Sequence, residues 1–158
     1  MSNVKVLGVG NLIRQDEGLG IHLLQALQNK LPPVTPSGLE LLDGGTGGLV
    51  LLDYVESADK LLILDAVAAG RKPGEIVIWQ EEEIPYFIAS KMTAHQVGLA
   101  EVLHWAKFRG KYPQEIVVVG IQPKCLDWGT ELSEEVRNSL PAALEEVLNI
   151  LKKWGVKL

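Results

Sequence analysis

The stretch Gly8-Val9-Gly10-Asn11-Leu12-Ile13-Arg14-Gln15-Asp16-Glu17-Gly18-Leu19-Gly20-Ile21-His22 decides how this chain is read. A short apolar run, Val4 to Leu7, leads into it, and an amphipathic segment follows it, so the order is strand, tight loop, helix start. Open α/β folds place their chemistry at such a strand end. The loop carries two adjacent acids, Asp16 and Glu17, where a phosphate cradle would carry glycines and a free helix N-terminus. A third fingerprint glycine is missing, since position 13 is Ile, and Asp43 only approaches the place of a ribose-binding acid. A dinucleotide site is the weaker reading. Two acids at a strand end point to a metal ion or a proton.

The rest of the chain supplies the context for that loop. Val4–Val9, Leu39–Leu42, Leu61–Leu64 and Ile116–Gly120 are apolar, β-branched-rich runs of the kind that become buried parallel strands. Glu75–Trp79 alternates after the turn signal Lys72-Pro73-Gly74 and reads as an edge or antiparallel strand. Helical spacing runs from Glu17 to Gln28, from Gly47 to Glu56, from Ala94 to Phe108, and onward from a Ser133 N-cap. Pro141 lies inside the last of these and either kinks or restarts it. The expected fold is a single α/β domain over residues 1–158, with a mostly parallel twisted sheet of about five strands covered by helices on both faces.

The balance of the composition narrows the functional class. A formal charge of −5 argues against general binding of nucleic acid, which needs a basic surface. No apolar stretch approaches the roughly 20 residues that span a bilayer. The opening Met-Ser-Asn-Val-Lys lacks a signal-peptide pattern, and the single Cys125 excludes an internal disulfide framework. These features favour a cytoplasmic protein. Cys125 has no adjacent base in sequence, and no Gly-x-Ser-x-Gly elbow is present.

Three acidic or imidazole side chains at strand and loop ends form the candidate site. Asp16 reads as an N-cap of the first helix, with Glu17 at its first helical position. Asp65 ends the apolar run Leu61–Leu64, where a carboxylate is costly unless it is paired, hydrogen-bonded or bound to a cation. His95 falls in Thr93-Ala94-His95-Gln96, which has capping-box spacing. That places His95 in a first helical turn, where the dipole keeps imidazole neutral. Glu17, Asp65 and His95 offer an open oxygen and nitrogen set suited to Ni²⁺ or Zn²⁺. His22 and His104 sit on polar helix faces. Asp43-Gly44-Gly45-Thr46-Gly47-Gly48 reads either as a plain strand-to-helix loop capped by Thr46 or as a place where a peptide backbone approaches closely.

Taken in order, Gly8-Val9-Gly10-Asn11, Asp16-Glu17 and Gly20, Leu42-Asp43-Gly44-Gly45-Thr46, Leu64-Asp65-Ala66, His95-Gln96 and Val119-Gly120-Ile121-Gln122-Pro123 resemble the nickel–iron hydrogenase maturation endopeptidases. The resemblance covers nearly the whole chain. It implies an enzyme that removes a short C-terminal extension from a hydrogenase large-subunit precursor after nickel insertion. It also implies that Glu17, Asp65 and His95 contact the nickel carried by that precursor, for which another divalent ion can substitute in the isolated protein. Asp16 and Asp43 become the candidate catalytic acids, and Gly44, Gly45 and Thr46 the loop that meets the substrate. The attacking water is activated by one of these carboxylates or polarised by the nickel. The alternative reading is a nickel-dependent chaperone that grips the large subunit without cutting it.

Overall fold

Val4–Val9 forms the first strand, β1, because every residue in it is buried and the run is rich in β-branched side chains. The computed structural model of the protein describes residues 3–45, 48–91 and 98–158. After β1 come α1 (Leu19–Lys30), β2 (Leu39–Gly45), α2 (Leu52–Ser57), β3 (Lys60–Ala66), β4 (Ile76–Trp79), α3 (Ile84–Lys91), α4 (Leu99–Phe108), β5 (Glu115–Ile121) and α5 (Glu134–Lys153). The sheet order is β2-β1-β3-β5-β4, with β4 antiparallel to β5 and the other pairs parallel.

Side chains alternate across the sheet, so one run of strand residues feeds two cores. Val4, Val6, Leu62, Leu64, Val117 and Val119 pack under α1 and α5. Leu7, Leu61, Ile63, Ile116 and Val118 pack with Val55 of α2, Phe87 of α3 and Leu103 of α4. The result is a three-layer α/β sandwich with the sheet in the middle. The chain leaves β1 toward β2 but leaves β2 for β3 on the far side of β1, so the connections diverge between β1 and β3. That divergence marks the crevice where open α/β sheets bind ligands.

The expected strands are present, and several are longer. β2 runs on through Asp43, Gly44 and Gly45, and β3 takes in Asp65 and Ala66. The helix expected from Ala94 to Phe108 begins at Leu99, because Gly98 is extended and donates its N–H to Glu101 Oε2 at 2.7 Å. Thr93, Ala94, His95 and Gln96 lie outside the described residues, as do Thr46 and Gly47. The short helix α3 and the 3₁₀ turn Glu81–Glu83 before it went unread in the sequence. Pro141 neither restarts nor ends α5, which is continuous from Glu134 to Lys153.

Candidate active site

The loop after β1 does not run straight into helix. Gln15–Gly18 forms a 3₁₀ turn, entered through Gln15 at φ 47°, and α1 starts only at Leu19 with Gly18 as its N-cap. Glu17 therefore belongs to that turn and not to the first position of α1. Nor does Asp16 cap α1. Its carboxylate is fully buried and faces the segment between β5 and α5. Oδ2 accepts the N–H groups of Lys124 and Cys125 at 2.8 and 3.0 Å and the Ser133 hydroxyl at 2.8 Å, while Oδ1 accepts Ser133 N–H at 2.7 Å. The Asp16 N–H in turn donates to Cys125 C=O. Burial pushes the Asp16 carboxyl upward, but hydrogen bonds from Cys125, Ser133 and Lys124 outweigh it and hold the group below its ordinary value. These hydrogen bonds favour the ionised form of Asp16, which anchors the turn.

The glycines around this turn have a use different from phosphate binding. Gly10 has φ 139°, and a Cβ there would lie 2.0 Å from the carbonyl oxygen of Glu17, which accepts the Asn11 N–H at 3.2 Å. At Gly20 a Cβ would fall 2.2 Å from Leu64 C=O and 2.3 Å from Val9 C=O. Only glycine lets the turn and α1 settle directly on the carboxyl ends of β1 and β3. This brings the half-buried Glu17 to the strand end that carries Asp65.

Asp65 is 3% exposed and accepts its neighbour's N–H, from Ala66, at 2.8 Å. Alternation places it on the side of Leu61 and Ile63, toward the α2–α4 layer, opposite Gly120 of β5. The strand end is held from the other side by Gln122, whose Oε1 accepts the N–H groups of Ala69 and Arg71 at 2.8 and 3.2 Å. Asp43 lies across β1 on β2, exposed, with Oδ1 accepting the Gly45 N–H at 2.9 Å. It alternates with Leu39 and Leu41, so it shares the α1 side of the sheet and not the side of Asp65. The turn that carries Glu17 and the strand end that carries Asp65 are thus neighbours at the crevice, and Asp43 on β2 flanks it. His95 and Thr46 lie outside the described residues, and among the described residues no three potential ligands cluster as a metal centre.

A rim of apolar side chains flanks the crevice. Leu12 and Ile13 of the β1 loop, and Leu126 and Trp128 of the β5 loop, are all exposed. Arg14 ties the two loops, donating from Nε and Nη2 to Leu126 C=O at 3.1 and 3.0 Å and stacking over Trp128 at 5.4 Å. Backbone bonds between Gln15 and Gly129, and between Gly129 and Ile13, complete the link. The sequence carries no sign of this pairing, because the two loops lie more than a hundred positions apart.

Two histidines differ from their expected settings or confirm them. His22 is half-buried on α1, and its Nε2 is buried with no hydrogen-bond partner among the described residues. Burial there lowers its pKa below the ordinary value. His104 is exposed, as its place on the polar face of α4 suggests.

The comparisons with known proteins agree with this fold. Residues 21–150 match the family model described as hydrogenase maturation protease. The chain belongs to the hydrogenase maturation proteases. The protease is 37% identical over 155 residues to the hydrogenase 2 maturation protease of Escherichia coli strain K12, with 98% of this chain and 93% of that protein covered. It is 39% identical over 155 residues to the hydrogenase expression/formation protein HupD of Rhizobium leguminosarum bv. viciae, covering 97% of this chain and 76% of the relative. The solved structure of the hydrogenase maturating endopeptidase HybD from E. coli superimposes with a TM-score of 0.90 at 36% identity, over 98% of this chain and 95% of that one. The protease is accordingly a peptidase with a single α/β domain. No helix among the described residues is long and apolar enough to cross a membrane.

Proposed function

We propose that this peptidase acts in the cytoplasm on the precursor of a nickel–iron hydrogenase large subunit and removes its C-terminal extension once nickel has been inserted. The observation that carries the reading is the seating of the Glu17 turn, through Gly10 and Gly20, on the strand end that bears Asp65. Glu17, in the turn after β1, and Asp65, at the carboxyl end of β3, lie on neighbouring elements at the crevice of the sheet. Such a set suits a borderline divalent ion that arrives with the substrate. Glu17, Asp65 and His95 serve as the contacts that test whether the precursor is loaded. Their attachment to the ion fixes the extension beside the cleaving group, which is catalysis by proximity.

Hydrolysis needs a base to take a proton from water as its oxygen bonds to the scissile carbonyl carbon. The C–N bond then breaks and the leaving amine receives a proton. Asp16 is ill suited to this, because its oxygens hold four donors and its pKa lies below the ordinary carboxylate value. Asp43 is exposed, and its Oδ1 accepts the Gly45 N–H, which favours it as the base. The substrate's own nickel supplies the competing activation of water.

The test uses purified precursor in nickel-loaded and nickel-free forms, read by mass. Wild-type protein shortens the loaded form only. Glu17→Gln, Asp65→Asn and His95→Ala each lose that activity. Full-rate cutting of nickel-free precursor, or unchanged processing by all three variants, would sink the nickel-sensing role. Binding without any shortening would replace the peptidase reading with that of a chaperone.

A further inference from the structure

We propose that the cleavable extension binds as an added strand, antiparallel to β2, along the outer edge of the sheet. This inference rests on the proteolytic reading above and says where the substrate lies. β2 is one of the sheet's two edge strands and the one beside β1, paired only with β1 among the described residues. Val4 N–H donates to Gly38 C=O, and Val4, Val6 and Gly8 stand opposite Leu39, Leu41 and Asp43. In a parallel ladder that register turns the backbone groups of Glu40 and Leu42 toward β1. The backbone groups of Leu41 and Asp43 therefore face outward, and an unpaired row of this kind is a template for another strand.

The surroundings of that edge fit a peptide. A groove of 530 Å³ runs beside it, lined by Leu31, Pro32 and Pro33 on one wall and by Leu39, Glu40 and Leu41 on the other. Consecutive strand residues point to opposite faces, so a groove that touches all three follows the edge itself. The prolines have no N–H to compete for the edge. At the lower end, Leu39 N–H is already taken by Pro36 C=O, which closes the groove. At the upper end the edge passes into Asp43, Gly44 and Gly45. Gly45 has φ 52°, and a Cβ placed on it would meet only Asp43 Oδ1, at 4.0 Å. Among the described residues nothing closer blocks the approach of a backbone there, next to the candidate base.

This continuity fixes the polarity. A chain held at the crevice near Asp65 passes Gly45 first and then Asp43 and Leu41, toward the amino end of β2. It thus runs antiparallel. In that arrangement Leu41 exchanges both backbone bonds with one residue of the extension, and Asp43 with another two positions away. Residues on either side turn their N–H groups outward. Side-chain identity matters less than length and an unblocked backbone.

The experiment walks single backbone N-methyl groups along the extension of a nickel-loaded, semisynthetic large-subunit precursor and measures processing by wild-type protein. The expected result is a period of two. Methylation at the residues opposite Leu41 and Asp43 raises KM roughly tenfold, the equivalent of one lost hydrogen bond, and methylation between them leaves KM unchanged. In a second arm, Leu41→Pro raises KM relative to Leu41→Ala while kcat is kept, since the N–H that proline removes points outward, where an edge strand tolerates it. Uniform sensitivity, or none, overturns the edge-strand placement while shortening of the unmethylated precursor continues. Loss of shortening of the unmethylated precursor by wild-type protein overturns the proteolytic reading and the placement with it.

Discussion

Asp16 and Ser133, 117 positions apart, share two hydrogen bonds: Ser133 N–H to Oδ1 at 2.7 Å and the Ser133 hydroxyl to Oδ2 at 2.8 Å. The same hydroxyl accepts the Val136 N–H, so the N-cap of α5 is also the partner of the buried acid. The turn that carries Glu17 is thereby bolted to the start of the longest helix. A buried carboxylate with this many donors is a rigid point from which a neighbouring side chain can be aimed.

Replacing Asp16 removes the acceptor from several buried donors at once. Asp16→Ala is expected to cost about 3 kcal/mol, seen as a lower midpoint in urea. Asp16→Asn is expected to be no better, because an amide NH₂ would face N–H groups. The sign with pH follows from the lowered pKa of Asp16. The ionised form is favoured in the folded state, so its stabilisation is complete above the unfolded value near 3.8. It is lost as pH falls through the folded value. Wild-type stability should drop over that acid range, and the drop should be shallower in Asp16→Ala.

Gly20→Ala is a test of the close approach that seats the site. Alanine is the better helix former by about 1 kcal/mol. Its Cβ would nevertheless stand 2.2 Å from Leu64 C=O and 2.3 Å from Val9 C=O, both backbone atoms that cannot swing aside. Overpacking of this kind costs roughly 1–3 kcal/mol. The expected outcome is a lower Tm together with a loss of processing larger than the stability loss explains, because Glu17 is lifted from the end of β3. A stable, fully active variant would show that the turn is not held by this contact.

The sheet and its order of elements were legible because apolar runs at strand spacing and helical stripes alternate plainly along the chain. The carboxyl-end placement of Asp65 was legible for the same reason. Long-range partners were not. Nothing near Asp16 in sequence announces Lys124, Cys125 and Ser133, so local capping rules read it as the N-cap of α1. Gly8 and Gly10 resembled a phosphate loop because tight turns need glycine whatever they approach, and here Gly10 makes room for the Glu17 carbonyl. His22 fell on the polar stripe by periodicity, yet its Nε2 is buried, which a one-helix projection does not register.

His22 offers a pH-dependent check on that burial. Its pKa is lowered by desolvation, so the folded protein resists protonation of the ring. The contribution is intact above the unfolded value of about 6.5 and is lost as pH falls through the folded value. His22→Phe keeps the shape and removes the unpartnered Nε2, which should leave stability at neutral pH equal or slightly higher. Thermal melts across this range should show a smaller decline on acidification for the phenylalanine variant.

Asp43→Asn separates the chemistry of the site from its architecture. Asparagine keeps a side-chain oxygen to accept the Gly45 N–H, so the turn after Asp43 should persist. It cannot take a proton from water. If Asp43 is the base, kcat on the nickel-loaded precursor falls by at least about 100-fold, the lower end of what general base catalysis contributes, while KM changes little. A wild-type kcat would transfer activation of the water to the precursor's nickel. Because Asp43 also presents its backbone to the proposed substrate strand, the two roles separate by readout. The carboxylate acts through kcat, and the outward N–H and C=O act through KM.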